Sequence, residues 1–338
     1  MIREAIRKVV GGESLTLDEA REAMLEITSG RAAAAQIAAL LTALRMKGET
    51  VDEISGFAGV MVEKAARIRP KSEVLLDTCG TGGDRCNTFN ISTVAAFVAA
   101  GAGVAVAKHG NRAVSSKCGS ADLLEALGAR IDLAPAEVEA CIDRVGIGFL
   151  FAPVFHEAMQ AAVGPRREIG IRTVFNILGP LANPAGATHQ LVGVYDEHLT
   201  ETMARVLMKR GLKRAMAVHG GGLDEITICG RTRVSEVDGG EIRTYEMAPE
   251  DFGIARASLD NIRGGTAEEN AAIAMGILRG ERGPKRDVVV LNGGAALYVA
   301  GAAASIGEGM RLAERSIDEG RAMGKLEGLI CETNRGER

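Results

Sequence analysis

The chain has 338 residues, 46% of them hydrophobic and 25% charged. That mix buries a sizeable core and excludes a disordered chain, and the length suits one large domain or two. A net charge of −4 favours neither nucleic acid nor an anionic membrane surface, and 3% aromatic residues leaves few platforms for stacked bases.

Up to about Ile68 the chain reads as helices alone. Thr16-Leu17-Asp18-Glu19 sets a hydroxyl three residues ahead of a carboxylate, the pattern of a capping box. Ala20, Met24 and Ile27 then recur on one face, and Gly30 stops the helix. A second helix is predicted from about Ala32 to Met46, ending at Gly48. Thr50-Val51-Asp52-Glu53 repeats the capping box and opens a helix to about Ile68, with Pro70 just beyond.

After Pro70 the texture changes. Val74-Leu75-Leu76 predicts a strand running into a glycine-rich loop, and a helix begins near Ile91. Further strands are predicted at Val104-Ala105-Val106, Ile147 to Phe151, Leu191 to Tyr195, Ala215 to Val218 and Val288 to Leu291, with helical stretches between most of them. Strands of this apolar kind suit a parallel sheet covered on both faces. Gly230 to Ile242 reads as short polar strands. The expected fold is a small all-helical N-terminal domain, residues 1–69, and a large α/β domain, residues 70–338, with a mostly parallel central sheet. Segment 164–184 either returns to the helical domain or forms a hinge.

Cys79, Cys86, Cys118, Cys141, Cys229 and Cys331 form no C-x-x-C pair and no zinc-like spacing with histidine. They read as reduced thiols, and the expected location is the cytoplasm. The first residues lack the layout of a signal peptide. The longest apolar run, Val94 to Ala107, falls short of the roughly 20 residues a membrane span needs.

Three turns concentrate chemistry behind successive predicted strands. In Asp77-Thr78-Cys79-Gly80-Thr81-Gly82-Gly83-Asp84, the glycines let backbone N–H groups approach an anion closely. Thr88, Asn90, Ser92 and Thr93 follow as donors at the start of an apolar helix, a ready phosphate site. The spacing is neither a Walker A loop nor G-x-G-x-x-G, and a tight turn with an ordinary N-cap would leave the same residues. Lys108-His109-Gly110-Asn111-Arg112-Ala113-Val114-Ser115-Ser116 offers two cations, an imidazole, an amide and two hydroxyls, and Gly119-Ser120 opens another helix. Taken alone it reads as a solvated charged loop; two donor-rich loops at strand ends shift the balance towards a ligand. His219-Gly220-Gly221-Gly222-Leu223-Asp224-Glu225 places adjacent carboxylates beside three glycines, suited to a hard cation such as Mg²⁺ or to a solvated turn. Separately, Pro165-Arg166-Arg167-Glu168, with His156 upstream, offers a guanidinium to a carboxylate substrate or a surface ion pair with Glu168.

Jointly these motifs resemble the anthranilate phosphoribosyltransferase family. The likeness rests on Thr-Phe-Asn-Ile-Ser-Thr at Thr88 to Thr93, Lys-His-Gly-Asn-Arg at Lys108 to Arg112, Arg-Thr-Val-Phe-Asn-Ile-Leu-Gly-Pro-Leu at Arg172 to Leu181 and Gly-Leu-Asp-Glu at Gly222 to Glu225, collinear over nearly the whole chain. The resemblance implies transfer of the phosphoribosyl group of 5-phosphoribosyl 1-diphosphate to the amine of anthranilate, with loss of diphosphate, the second step from chorismate towards tryptophan. It implies a homodimer packed through the helical domain, a cleft between the domains, and no nucleic-acid or membrane partner. By the same carry-over the phosphoribosyl donor is held by Gly80, Gly83, Asp84, Thr88, Asn90, Ile91, Ser92, Thr93, Lys108, His109, Gly110, Asn111, Arg112, Ala113, Val114, Ser115, Ser116 and Ser120. Anthranilate meets Gly80, Asn111, His156 and Arg166, and Mg²⁺ is bound by Ser92, Asp224 and Glu225.

Two places depart from the family pattern. Arg85, followed by Cys86, stands where glycine is common, which bears on the flexibility of the loop. Glu157 and Gln160 replace a proline and a basic residue after His156, which bears on steering of anthranilate. Displacing diphosphate from the anomeric carbon builds charge on both fragments, so the main catalytic contribution is expected to be electrostatic. Lys108 and the N–H groups near Gly82 and Gly83 are candidates to meet the leaving group. The nucleophile is a neutral aromatic amine, so no strong base is needed; His109 is the candidate to accept the released proton. The rival readings on the same fold are a pyrimidine nucleoside phosphorylase and a non-catalytic nucleic-acid-binding paralogue. The second should carry a basic excess that this chain lacks.

Overall fold

The structure is a computed structural model and describes residues 1–113 and 117–335. Four helices come first: α1 (Ile2–Val10), α2 (Leu17–Thr28), α3 (Ala34–Lys47) and α4 (Val51–Lys64). Both capping boxes form. Thr16 and Thr50 accept the amides of Glu19 and Glu53, and each glutamate accepts the amide of its threonine at 2.7 Å. Glu53 is fully buried and also accepts the Leu15 amide and pairs with Lys47, so the cap of α4 fastens three segments together. The helix stops at Lys64, short of Ile68, because the next amides serve elsewhere. Ala66 donates to the Phe155 carbonyl and Ile68 to that of Pro184.

The strands are β1 (Leu75–Gly80), β2 (Ala105–Gly110), β3 (Ile147–Phe151), β4 (His189–Gly193), β5 (Arg214–His219), β6 (Thr232–Asp238) and β7 (Glu241–Met247). They form one sheet in the order β3-β2-β1-β4-β5-β6-β7. The first five are parallel, and β6 and β7 are antiparallel additions. Helices α5 (Ile91–Gly101), α6 (Ser120–Ala126), α7 (Pro135–Val145), α8 (Ala152–Phe155), α9 (Gln160–Ile169), α10 (Phe175–Leu178) and α11 (Leu199–Lys209) lie between strands. Helices α12 (Ala267–Leu278), α13 (Pro284–Val299), α14 (Ile306–Asp318) and α15 (Arg321–Thr333) close the chain. The strand expected at Val288 to Leu291 is instead the interior of α13. That helix is buried nearly all round, so its apolar run carries no helical period to separate it from a buried strand.

The chain steps outward from β1 to β2 and β3, then returns to the other side of β1 for β4. The order therefore reverses at the carboxyl ends of β1 and β4, where Gly80 faces Gly193. Open α/β sheets bind ligands at such a switch point. Side chains alternate between the faces of the sheet. Leu76, Leu191, Met216 and Val218 join a core with α5 and α12–α15. Cys79, Val192, Ala215 and Ala217 join a second core with Met24, Leu40, Leu44 and Phe57 of the N-terminal helices. Ala162, Val174, Phe175, Ile177 and Leu178 lie in that second core, so part of segment 164–184 packs with α2 and α3. Helices α13 and α14 cross at glycines: a Cβ on Gly309 would fall 2.2 Å from the Gly294 carbonyl oxygen.

Candidate active site

The glycine-rich segment divides into two parts. Asp77 to Gly80 belong to β1, and only Thr81 to Asn87 form the loop. Gly82 and Gly83 adopt left-handed φ values of 70° and 78°, which glycine takes without a Cβ clash. Arg85 is also left-handed, at φ 64°, which explains why glycine suits that position in the family; arginine there costs about 1 kcal/mol or more.

The turn after β5 lies across the switch point. A Cβ on Gly193 would fall 1.6 Å from the Asp224 carbonyl oxygen, and one on Gly80 would fall 2.2 Å from Asp224 Oδ2. Only glycine on both strands gives Asp224 its place. His219 Nδ1 is 2.7 Å from the Val194 carbonyl, and its Nε2 accepts the Gly222 amide at 3.0 Å, which fixes the Nδ1–H tautomer. Asn292 of α13 accepts the Ile226 amide and donates to the Ile226 carbonyl, bracing the turn from below.

Asp224 accepts the Gly82 amide at 2.6 Å, and Glu225 accepts the Ser92 amide at 3.0 Å. Gly82 N–H, expected to face a leaving phosphate, is thus committed to a carboxylate. Both acidic residues keep some surface, yet their carboxyls lie deep among protein atoms. Burial first, and neighbouring carboxylates second (Asp84 for Asp224, Asp224 for Glu225), push both above the ordinary carboxylate range. Ser92 and Asp84 stand beside them, so the oxygen-rich donor set fits a hard divalent cation. Among the described residues no three His, Cys, Asp or Glu side chains make a ready cage. Mg²⁺ commonly completes its shell with phosphate oxygens and water.

Lys108 is 3% exposed, which rules out a solvated loop at this point. Its Nζ donates to the Thr78 carbonyl at 2.6 Å, and burial lowers its pKa against the pull of Asp77. It therefore acts beneath the loops and does not project from them. Asp77, raised to about 6 by burial, accepts the His109 amide and a Gln190 amide proton. Asn90 does not cap α5 with its side chain. It bridges Cys118 and Asn270, tying the helix start to neighbouring loops. Ile91 and Thr93 are buried, and Thr88 forms an isolated bridge with Arg263. Gly110 packs against Ser120, and Ser120 donates to the Asn111 carbonyl. The Ala113 amide donates to Asp122. Arg112 is turned away onto Glu125 and Asp122, so its guanidinium is not free for phosphate. Val114, Ser115 and Ser116 lie outside the described residues.

Near the end of β2, among the described residues, some buried polar groups are left without a partner. His109 and His156 are buried with ring centroids 5.1 Å apart, and among the described residues the Nε2 of each lacks a hydrogen-bond partner. His109 Nδ1 is 3.1 Å from the Gly179 carbonyl. Burial lowers His109 to about 3, with His156 adding to the effect, and burial lowers His156 to about 4. A base this weak does not keep a proton at neutral pH. Both rings are therefore held neutral, the form that accepts a proton or a hydrogen bond. Arg166 does not pair with Glu168; its guanidinium lies 5.1 Å over the Phe175 ring, and burial lowers its pKa. The sequence reading missed Gly193 and Asn292, and it quoted Arg172 in a family motif without giving it a role. A glycine ending the run Leu191-Val192 was the available signal for the first; nothing local marked Asn292 or the partner of Arg172.

The chain matches the model of the glycosyl transferase family helical bundle domain over residues 3–65 and that of the glycosyl transferase family a/b domain over residues 72–323. It is 60% identical to the anthranilate phosphoribosyltransferase of Moorella thermoacetica, with 98% of each chain covered. The crystal structure of the Thermus thermophilus anthranilate phosphoribosyltransferase superposes with a TM-score of 0.93 at 45% identity, covering 98% of this chain and 99% of that one. The Saccharomyces cerevisiae anthranilate phosphoribosyltransferase, solved in complex with PRPP and Mg, gives 0.90 at 29% identity, covering 99% and 98%. Alike across both of its parts in sequence and in structure, the chain belongs to the anthranilate phosphoribosyltransferase family.

Proposed function

We propose that this chain transfers the phosphoribosyl group of 5-phosphoribosyl 1-diphosphate to the amine of anthranilate, giving N-(5-phosphoribosyl)anthranilate and diphosphate, the second step from chorismate to tryptophan. The observation that carries the reading is the pair of carboxylates at the switch point, set between the amides of the glycine loop and of α5. In this reading Asp224, Glu225 and Ser92 hold Mg²⁺, which when bound neutralises negative charge on the diphosphate. Lys108 balances the buried carboxylates from beneath, and the donor lies over Gly80, Gly83, Asp84 and the start of α5.

Arg166 and Asn111 take the carboxylate of anthranilate, with the apolar ring beside Gly80 and His156. Neutral His109, packed beside His156, leaves the amine uncharged and free to point its nitrogen lone pair towards the anomeric carbon. The rate then comes from placement and fixed charge. Residues 1–69, with segment 164–184 returning to them or forming the hinge, close on the rest of residues 70–338 about Pro70 and Gly179-Pro180. Equal turnover after both hinges are stiffened by engineered disulfides would count against that motion.

The working form in this reading is a cytoplasmic homodimer packed through the helical part, where Val10 and Met46 are exposed apolar side chains. Among the described residues no helix is long and apolar enough to cross a membrane. The test is to mix protein, donor, Mg²⁺ and anthranilate and follow anthranilate fluorescence. Loss of signal that requires all four is expected. Steady fluorescence with folded protein, or phosphorolysis of thymidine or uridine in its place, overturns the reading.

A further inference from the structure

We infer that Arg172 is a positioning residue for the diphosphate-bearing substrate, acting through the peptide between Gly83 and Asp84; the inference rests on the function proposed above. Arg172 lies between α9 and α10, in the segment whose apolar residues share a core with the N-terminal helices. Its side chain crosses to the other part of the molecule, where Nη2 donates to the Gly83 carbonyl. The guanidinium lies 4.2 Å over the Tyr195 ring. The Tyr195 amide in turn donates to Thr81 Oγ1 at 3.1 Å, and the Thr81 amide donates to the Gly193 carbonyl at 2.9 Å. The glycine loop is thus held at Thr81 and again at Gly83, by two residues stacked on each other.

A peptide unit is planar, and in the trans form its C=O and N–H point to opposite sides. No peptide in the described chain is cis. Holding the Gly83 oxygen towards Arg172 therefore turns the Asp84 N–H the other way. Among the described residues that N–H has no partner, and neither has the N–H of Gly83. Two unpartnered amides side by side in a loop are an anion-binding feature. Gly83 is left-handed and carries no Cβ, so nothing in its own chemistry stops this plane from rotating. Rotation would present a carbonyl oxygen to a phosphate and replace attraction with repulsion. Arg172 blocks that rotation. Among the described residues no carboxylate pairs with it, so its charge also remains beside the loop.

The test is steady-state kinetics of the intact enzyme with Arg172→Met, Arg172→Lys and Tyr195→Leu, together with Mg²⁺-pyrophosphate binding by calorimetry and a thermal melt of each. In Arg172→Met the KM for the donor should rise about 10- to 100-fold, the worth of one charge-assisted hydrogen bond. KM for anthranilate and kcat at saturating donor should stay near wild type, and pyrophosphate binding should weaken in parallel. Arg172→Lys, which keeps a cationic donor, should recover most of the loss. Tyr195→Leu, which removes the stack and keeps the arginine, should give a smaller rise of the same kind. Unchanged donor KM and pyrophosphate affinity in Arg172→Met overturn the inference. So does an equal fall in all parameters that tracks melting temperature and that lysine does not rescue. If Arg172→Met does not fold, the split between the two KM values in Tyr195→Leu and Arg172→Lys decides by the same criteria. A wild-type protein without turnover and without pyrophosphate binding fails at the functional reading itself, a result distinct from normal turnover with an indifferent Arg172.

Discussion

Around the glycine loop and the turn after β5 the polar groups are largely paired within the protein, whereas those of His109, His156 and Arg166 are in part left without partners among the described residues. On the first wall the Gly82 and Ser92 amides meet Asp224 and Glu225, Lys108 meets the Thr78 carbonyl, and the Gly83 carbonyl meets Arg172. On the second, among the described residues, two imidazole nitrogens have no partner and the Arg166 guanidinium lies over the Phe175 ring. The contrast follows from what each wall meets in the proposed reaction. A diphosphate needs fixed dipoles and charges that do not reorganise as the bond breaks. An aromatic amine needs a mostly apolar slot with a few polar contacts. Prewired polarity on one side and unspent polarity on the other are two solutions to two ligands.

Substitutions on the two walls should therefore fail differently. The largest effect is expected from Gly193→Ala. Its Cβ would meet backbone and not a yielding side chain, so a loss of at least about 3 kcal/mol or no folded protein is expected in a denaturant melt. A melt like that of wild type would show that the turn slides freely, and the first wall would not be rigid. Next, replacing Asp224 and Glu225 together with alanine should remove Mg²⁺-dependent turnover, by about 100-fold or more, while the protein stays folded. Retained turnover would show that the carboxylates do not hold the metal.

On the second wall, Arg166→Ala should raise KM for anthranilate about 10- to 100-fold, the worth of a hydrogen bond between charged groups, and leave donor affinity and melting temperature almost unchanged. A selective loss of donor affinity would place Arg166 on the wrong wall. At neutral pH the smallest effect is that of the two histidines, whose protonation is felt only in acid. His109 and His156 are ordinarily near 6.5 and are lowered to about 3 and about 4 on folding, so the unfolded chain binds more protons below 6.5. The stability they contribute is full above 6.5 and drains away as pH falls towards 4 and then 3. The slope is at most about 1.4 kcal/mol per pH unit for each. Replacing both with glutamine should flatten the acid limb of a melting-temperature profile relative to wild type. Parallel profiles would mean that the two rings are not buried neutral.

The residues gathered at the strand ends were largely legible in the sequence, because their marks are local. Glycine runs, hydroxyls at a helix start and adjacent carboxylates stand close together along the chain. The capping boxes at Thr16 and Thr50 were legible for the same reason, since their partners lie three residues apart. What failed depended on distance. Arg172 reaches Gly83 across 89 positions, and Asn292 reaches Ile226 across 66. No local pattern encodes such a meeting. Arg112 misled in the opposite sense: its motif suggested phosphate, but Glu125, one helix away, claims it. Val288 to Leu291 misled because a helix buried on all sides writes the same letters as a buried strand.

The crossing of α13 and α14 has a reach beyond packing. Gly294 and Gly309 let the two helices touch backbone to backbone, and α13 carries Asn292, whose amide group grips the turn that presents Asp224 and Glu225. The aim of two acidic groups at the ends of the strands is thereby set by a joint between helices that pack behind the sheet. A methyl group added at that joint would tilt the lever and mis-set the carboxylates, so a lineage of this enzyme could drift freely over much of its outer surface and still be held to glycine there.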